Sequence, residues 1–288
     1  MTIREKLQEG EDYLQKKEIE NANYDAKELM LFTLNMSDAD FFLGRNKDIT
    51  NYDATRYDEY IKRRGEHEPL QHITGIAYFY GRKFMVNNKV LIPRFDTENL
   101  VERVLKLIKK DDHVLDMCTG SGCIIETIAL ESECSKENNA CVGVDISSEA
   151  LKVANANKEK LNAKGVTLIK SDLFENLNKE LINSFDIIVS NPPYIPTGVI
   201  EGLSKEVKLF DPMLALDGDN DGLKFYIKIT KECRNFLKLG GYLAFEIGHD
   251  QAEQVSKIMQ DNGFYNINVY KDLSGFDRVI IGKYGDGQ

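Results

Sequence analysis

The residues best suited to chemistry are the tetrapeptide Asn191-Pro192-Pro193-Tyr194, which directly follows the apolar segment 185–190. Two consecutive prolines fix the backbone and remove two N–H donors, and they push Asn191 into an extended conformation. The Asn191 side-chain oxygen and a proline carbonyl can each accept one hydrogen of an –NH₂ group, and Tyr194 offers an aromatic face to a planar or cationic group. The pattern favours chemistry on the nitrogen of a planar amide or amine.

A second candidate site is the turn that follows the short apolar segment 113–117 and reads Cys118-Thr119-Gly120-Ser121-Gly122. Its two glycines permit a sharp turn and a close approach between backbone and ligand. The third glycine of a dinucleotide-binding turn is absent, since Ile125 stands in its place, and Asp116 would repel a phosphate. A cofactor with a cationic or amino group suits the turn better, although a purely structural turn also accounts for this stretch taken alone.

Acidic residues close the next two apolar segments. Asp145 ends the segment 140–145, where a carboxylate can accept both ribose hydroxyls of an adenosine; it can equally help to cap the helix that follows. Asp172 and Leu173 follow the segment 166–170, where the first can accept from an adenine amino group and the second can pack on the ring. Together with the glycine turn, these residues predict a nucleoside site.

The two sites together predict methyl transfer from S-adenosylmethionine to a nitrogen. An amide nitrogen is a poor nucleophile, so gripping both of its hydrogens and holding it in line with the sulfonium methyl can contribute ~7–11 kcal/mol. We expect no metal ion, because the cysteines and histidines form no ligand cluster. The predicted catalytic residues are Asn191, Pro192, Pro193 and Tyr194. The predicted cofactor-binding residues are Asp116, Cys118, Thr119, Gly120, Ser121, Gly122, Asp145, Asp172, Leu173 and Asn191.

The elements that must position these residues alternate between strands and helices from residue 113 onward, which indicates a Rossmann-like α/β fold with a mostly parallel sheet. The last two strands have no helix between them and are expected to form an antiparallel hairpin at one edge. Strands are predicted at 113–117, 140–145, 166–170, 185–190, 242–247, 265–270 and 277–283. Helices are predicted at 96–109, 148–161, 223–237 and 251–260.

Three regions are predicted along the chain. Residues 1–74 show helical spacing of apolar side chains and form a small helical domain that recognises the substrate. Residues 75–93 are rich in aromatic and β-branched residues with turn signals at Gly81 and Asn87, and they form a β-hairpin connector. Residues 94–288 form the methyltransferase domain.

The composition argues against nucleic-acid and membrane partners. The formal net charge of −10 repels bulk nucleic acid, whose binding depends on many Lys and Arg contacts to phosphate. No stretch approaches the ~20 apolar residues of a membrane helix, and the first ten residues contain no apolar core of a signal peptide. We therefore expect a cytoplasmic protein with reduced cysteines, no membrane or stable nucleic-acid partner, and a monomeric state.

The chain resembles the release-factor glutamine N5-methyltransferases, which are class I S-adenosylmethionine-dependent enzymes with an N-P-P-Y motif. The resemblance covers essentially the whole chain. It is carried by residues 69–75 (PLQHITG), 91–98 (LIPRFDTE), 118–122, 191–194, 246–248 (EIG) and 275–278 (GFDR).

The resemblance implies that Thr119, Gly120, Gly122, Asp145, Leu173 and Asn191 contact the cofactor. It also implies that residues 191–194 hold the glutamine of the Gly-Gly-Gln loop of class I peptide-chain release factors, with S-adenosylhomocysteine as the second product. The rival hypothesis is a methyltransferase acting on an exocyclic amine of DNA or rRNA, since the same grip serves a flipped base.

Two positions depart from the family pattern. Phe95 stands where proline is usual, and Cys118 stands where glycine is frequent, so that a turn with positive φ would be disfavoured at Cys118. Beside Phe95, the charged residues Arg94, Asp96 and Glu98 have two interpretations. They form an ordinary cluster at a helix start, or they brace the N-P-P-Y loop or the cofactor.

Overall fold

The computed structural model describes residues 1–134 and 140–285 and divides the chain into two compact units. The first unit comprises residues 1–76 and 204–210, and the second comprises residues 77–203 and 211–288. The sequence prediction assigns 204–210 to the methyltransferase domain, whereas the structure groups this segment with the N-terminal helices. In the described ranges, none of the helices combines the length and apolar character needed to cross a bilayer.

The helices, in chain order, are α1 Ile3–Lys16, α2 Ala22–Leu34, α3 Asp38–Gly44, α4 Asn51–Gly65, α5 Leu70–Thr74, α6 Phe95–Leu105, α7 Cys123–Glu131, α8 Ser148–Leu161, α9 Thr197–Ile200, α10 Lys205–Phe210, α11 Met213–Leu216, α12 Lys224–Glu232 and α13 Ala252–Asp261. The strands are β1 Ile76–Phe79, β2 Arg82–Met85, β3 Val114–Met117, β4 Cys141–Asp145, β5 Val166–Lys170, β6 Phe185–Ser190, β7 Leu237–Glu246, β8 Phe264–Lys271 and β9 Asp277–Tyr284.

The first unit is built from α1–α5 and α10 around an apolar core. Tyr57 of α4 is fully buried, and its hydroxyl lies so close to α1 that a Cβ at Gly10 would stand 2.2 Å from it. Arg64 is also buried; it donates to Asp25 of α2 at 2.6 Å and to Glu206 of α10. This buried cation holds the returning segment 204–210 against the N-terminal helices, a long-range pairing that no local pattern in the sequence reveals.

The second unit contains the β1–β2 hairpin and a seven-stranded sheet in the order β5-β4-β3-β6-β7-β9-β8. Strands β3 to β7 run parallel, while β9 lies antiparallel between β7 and β8. The predicted Rossmann-like sheet with an antiparallel C-terminal hairpin at one edge is therefore confirmed. At the tip of the β1–β2 hairpin, Tyr80 and Gly81 both have positive φ, as a tight hairpin turn requires.

Side chains on the central strands alternate between two apolar cores. Leu115 and Met117 belong to one buried cluster, whereas Val114 of the same strand belongs to the other. Because successive side chains of a strand point to opposite faces, both faces of the sheet are covered. The central strands are therefore buried between the two cores, and a ligand site can form at the strand ends.

Several element boundaries differ from the sequence prediction: α6 ends at Leu105 rather than at residue 109, and the largest differences lie between α12 and β7. The helix predicted to end at residue 237 ends at Glu232, a short 3₁₀ turn follows, and β7 begins at Leu237 rather than Tyr242. Leu237 pairs with Phe185 of β6, and the pairing shifts register before Tyr242. Position 241 of this strand requires glycine, because a Cβ there would stand 2.8 Å from the Asp186 carbonyl oxygen. Pairing with the neighbouring strand therefore overrides the helical pattern.

The strand order places a crevice at the carboxyl ends of β3 and β6. The chain passes outward from β3 to β4 and β5 and then returns to the other side of β3 as β6. Met117 and Ser190 are register partners at the ends of these two strands, and the Ser190 hydroxyl donates to the Met117 carbonyl at 2.5 Å. At such a switch point of a parallel sheet the loops diverge and leave room for a ligand.

Candidate active site

A cavity of about 530 Å³ opens at this switch point. Its walls come from the loops after β3, β4, β5 and β6, from the connector around α6, and from α11 and α12. Predicted site residues on the wall are Cys118, Thr119, Gly120, Ser121, Asp145, Asp172, Leu173, Asn191 and Pro193. Four predicted residues lie behind the wall instead of on it: Asp116, Gly122, Pro192 and Tyr194.

The glycine turn is held by its own hydrogen bonds. Gly122 donates from its backbone to the Thr119 carbonyl at 2.8 Å, and Thr119 donates to the carbonyl of Val144 in β4 at 2.8 Å. Gly120 and Gly122 have φ of 54° and 82°, so the turn uses the left-handed conformation that glycine allows. Helix α7 starts directly afterwards, and its first backbone N–H groups lie at the turn.

Asp116 supports this turn from below. Its carboxylate accepts from the Thr119 hydroxyl at 2.6 Å, and the residue is fully buried. Burial raises the pKa of Asp116 to about 7, and the hydrogen bond from Thr119 opposes that rise. The structure thus gives Asp116 a bracing contact with a residue of the cavity wall.

Two residues of the cavity wall other than glycine adopt positive φ. Cys118 has φ of 65° and Leu173 has φ of 48°. Cys118 therefore adopts, with a side chain present, the left-handed conformation that the sequence analysis expects to be disfavoured at this position. Backbone strain of this kind costs about 1–2 kcal/mol per residue and persists where surrounding contacts fix it, as is frequent at ligand sites.

Asp145 is one of three acidic residues on the cavity wall, with Glu149 and Asp172. Its Oδ2 accepts from the Gly120 backbone N–H at 2.9 Å and its Oδ1 from Ser147 at 2.8 Å. Ser147, and not Asp145, caps α8, because the Ser147 hydroxyl accepts from Ala150. Each carboxylate oxygen has a second lone pair, so Asp145 can still accept from two hydroxyl groups of a ligand. Burial raises the pKa of Asp145, and the backbone hydrogen bonds oppose this.

The N-P-P-Y loop is held at both ends. The Asn191 side-chain Nδ2 donates to the Thr97 hydroxyl at 3.3 Å, and the Tyr194 hydroxyl lies 3.5 Å from a Glu246 carboxylate oxygen. The Tyr194 carbonyl accepts from the Gln251 side chain at 3.0 Å. A Cβ at Gly222 would stand 2.3 Å from the Tyr194 carbonyl oxygen, so the neighbouring loop closes tightly on this backbone. The tetrapeptide is therefore fixed by contacts as well as by its prolines.

The charged cluster around α6 braces neighbouring segments. Arg94 pairs at 2.7 Å with the buried Asp211, which precedes the cavity-lining Pro212, and Glu98 accepts from the Tyr80 backbone at 2.7 Å. Asp96 lies 3.6 Å from Arg278. These contacts reach Asp211, Tyr80 and Arg278 rather than the N-P-P-Y loop, and Asp96 and Glu98 lie in the first turn of α6, as in an ordinary helix-start cluster.

Sequence reasoning missed several wall residues. Thr97 was not singled out although it lies within the I-P-R-F-D-T-E element, which was itself a usable signal. The apolar part of the wall offers no comparable signal, because single apolar side chains on short helices carry no pattern. Such residues include Pro212, Leu214, Ala215 and Phe225, whereas the apolar wall residues Leu91, Ile92 and Pro93 lie in the same recognised element as Thr97.

The cavity has the chemistry that a nucleoside carrying a cationic group requires. Asp145 supplies acceptors for ribose hydroxyls, the apolar wall suits an aromatic base, and the glycine turn permits close approach to the backbone. Asn191 and Pro193 bring an acceptor-rich edge, without a proline N–H donor, to the same cavity. A bound S-adenosylmethionine and a planar –NH₂ group can therefore be held side by side.

Comparison with known proteins gives consistent matches. Residues 5–75 match a PrmC N-terminal domain, and residues 108–283 match a methyltransferase domain. A release factor glutamine methyltransferase of Fusobacterium nucleatum is 39% identical over 94% of this chain and 76% of its own length. One from Geobacter sulfurreducens is 38% identical over 99% of this chain and 97% of its own. A methyltransferase crystal structure from Pyrococcus furiosus shares the fold, with TM-score 0.50 and 18% identity over 72% of this chain and 91% of its own.

Proposed function

The chain belongs to the release factor glutamine methyltransferases, and we propose that it methylates N5 of the glutamine in the Gly-Gly-Gln motif of class I peptide-chain release factors. The proposal rests on one observation: Asn191 and Pro193 line the same cavity as the glycine turn and Asp145. When bound there, S-adenosylmethionine supplies an electrophilic methyl group on a sulfonium. Every other contribution comes from side chains and backbone of this chain.

Asn191 and the adjoining proline carbonyls orient the substrate. The Asn191 oxygen accepts one amide hydrogen of the glutamine and a proline carbonyl accepts the other, which directs the nitrogen lone pair toward the methyl group. Fixing the nitrogen at attack distance can contribute roughly 7–11 kcal/mol to lowering the barrier. The methylated nitrogen is strongly acidic and loses one proton to water after the transfer, so the pocket requires no strong base.

The remaining predicted residues hold the cofactor. We assign Asp145 to the ribose hydroxyls, Asp172 and Leu173 to the adenine, and the turn Cys118–Gly122 to the methionine part. Asp116 acts by bracing Thr119 at 2.6 Å. Tyr194 holds the loop through its hydroxyl and its carbonyl.

We also propose that the enzyme acts as a cytoplasmic monomer on protein substrates and forms no stable complex with nucleic acid. The net charge of −10 disfavours contact with phosphates, and the five cysteines form no disulfide in the part of the chain that the structure describes, as is usual in a reducing compartment.

The test is mass spectrometry of purified class I release factors after incubation with the enzyme and S-adenosylmethionine. We expect one added CH₂ unit on the peptide that contains Gly-Gly-Gln, and no transfer to DNA or rRNA under the same conditions. Transfer to nucleic acid alone would refute the proposal and favour an exocyclic amine as the acceptor.

A further inference from the structure

The Asn191 amide can present either its oxygen or its NH₂ group to the substrate. Asn191 Nδ2 lies 3.3 Å from the Thr97 hydroxyl oxygen, and Thr97 is 2% exposed at the start of α6. A hydroxyl can either donate or accept. Thr97 alone therefore permits two orientations of the Asn191 side chain, and in one of them an NH₂ group would face the substrate. Such a donor would repel the hydrogens of an incoming amide.

A carboxyl group lies beside Thr97. Glu246, at the end of β7, is 3% exposed, and its Oε1 lies 3.5 Å from the Tyr194 hydroxyl. Its Oε2 is sealed from solvent and has no hydrogen-bond partner at ordinary distance among the described residues. The parallel pairing of β6 with β7 places Glu246 beside Asn191, whose amide contacts Thr97, and Thr97 lowers the pKa of the Glu246 carboxyl. A buried open acceptor thus lies next to a hydroxyl whose hydrogen is needed for no other contact of the loop.

We propose that Glu246 is a positioning residue that sets the orientation of the Asn191 amide through Thr97, an inference that rests on the proposed function. The ionised carboxylate takes the hydrogen of the Thr97 hydroxyl. Thr97 can then only accept, so Asn191 must turn Nδ2 toward it and its Oδ1 toward the glutamine amide. The same carboxyl holds Tyr194, so one buried acid controls both ends of the tetrapeptide.

The arrangement makes turnover depend on the charge of Glu246. Burial raises the pKa of Glu246 to about 7, Thr97, Arg278 and Tyr194 oppose the rise, and Asp96 adds to it. The negative charge of Glu246 also helps to raise the pKa values of Tyr226 and Cys123. Below this pKa the neutral carboxyl can itself donate to Thr97, whose hydrogen is then free to point at Asn191. The orientation of the amide is no longer fixed, and kcat falls on the acid side.

The experiment compares Thr97→Val, Thr97→Ser and Glu246→Gln with the wild type, using release factor as substrate. We expect Thr97→Val to lower kcat roughly 10- to 100-fold, with little change in KM or in S-adenosylhomocysteine affinity. Thr97→Ser keeps the hydroxyl and should restore most of kcat. Glu246→Gln should lower kcat and remove the acid limb of the pH profile.

The matched control is Thr230→Val, since Thr230 is another fully buried threonine and lies on α12 outside the cavity wall. It should keep wild-type kcat. An active wild type together with fully active Thr97→Val and Glu246→Gln would overturn this inference alone, whereas a wild type that leaves release factor unmodified would overturn the proposed function and this inference with it. A wild-type kcat that stays constant from about pH 6 to about pH 8 would also overturn the inference, even if a variant failed to fold.

Discussion

The Asp145 carboxylate accepts a hydrogen bond from the Gly120 backbone N–H at 2.9 Å, which joins the acid at the end of β4 to the glycine turn after β3. The two sequence signals that predicted a nucleoside site are therefore parts of one hydrogen-bonded structure. The turn orients the acid, and the acid holds the turn in place.

Asp145→Asn should weaken cofactor binding. The new NH₂ group would face the N–H of Gly120 or of Ser147, so either that contact or a ribose hydrogen bond is lost. Hydrogen bonds to a charged group contribute about 1.5–3 kcal/mol, so the Kd for S-adenosylhomocysteine should rise about tenfold or more in calorimetry. Glu159→Gln, on the exposed side of α8, removes the same charge and should leave the Kd unchanged. Equal affinities of both variants would contradict the role of Asp145.

Asn191→Ala should separate binding from turnover. The variant loses the oxygen that grips the substrate amide but leaves the glycine turn and Asp145 intact, so S-adenosylhomocysteine affinity should be largely kept. Loss of one oriented polar group at a reacting centre typically costs about 10²–10³ in kcat. Single-turnover assays would measure this, with Asn268→Ala on the exposed edge strand β8 as the control. Unchanged turnover in Asn191→Ala would exclude the assigned grip.

Cys118→Gly should be more stable than Cys118→Ala. Both variants remove the thiol, but only glycine adopts a φ of 65° without strain. The difference in the free energy of unfolding should be about 1 kcal/mol in favour of glycine, measured by urea denaturation in the absence of cofactor. If alanine proves equally stable, the left-handed conformation at this position costs nothing.

Glu126→Gln should change how stability depends on pH. Glu126 of α7 is fully buried, and its carboxyl oxygens have no hydrogen-bond partner among the described residues. Burial raises the pKa of Glu126 to about 9, while Lys158 opposes the rise. The folded state thus keeps a proton that the unfolded chain has lost, so this stabilising contribution disappears as pH rises from the ordinary glutamate range to about 9.

The glutamine variant has no such titration. Its free energy of unfolding should therefore gain on the wild type by up to about 1.4 kcal/mol per pH unit across that window. Denaturation curves at several pH values would show parallel profiles for both proteins if Glu126 were normally ionised.

The sheet could be predicted from the sequence because its signals are local. Each parallel strand is a short apolar run, and the residues that follow the runs, such as Asp145 and Asn191, must meet at one edge. The position of segment 204–210 depends on the pairing of Arg64 with Glu206, and the apolar wall around Pro212 depends on the neighbouring Asp211, which pairs with Arg94. Neither could be predicted, because each pairing joins residues that are far apart in the sequence. Thr97 lay within a recognised element, but its role depends on the position of Asn191 in space.

The acceptors that the N-P-P-Y loop presents to the substrate amide also bear on reaction stoichiometry and product release. A glutamine amide offers two hydrogens to two acceptors, whereas its N-methylated form offers one. An acceptor left unpaired in a closed pocket costs about 1–3 kcal/mol, so the methylated side chain is held less tightly than the unmodified one. Such a pocket releases the methylated glutamine after a single methyl transfer, so the dimethylated amide should not accumulate.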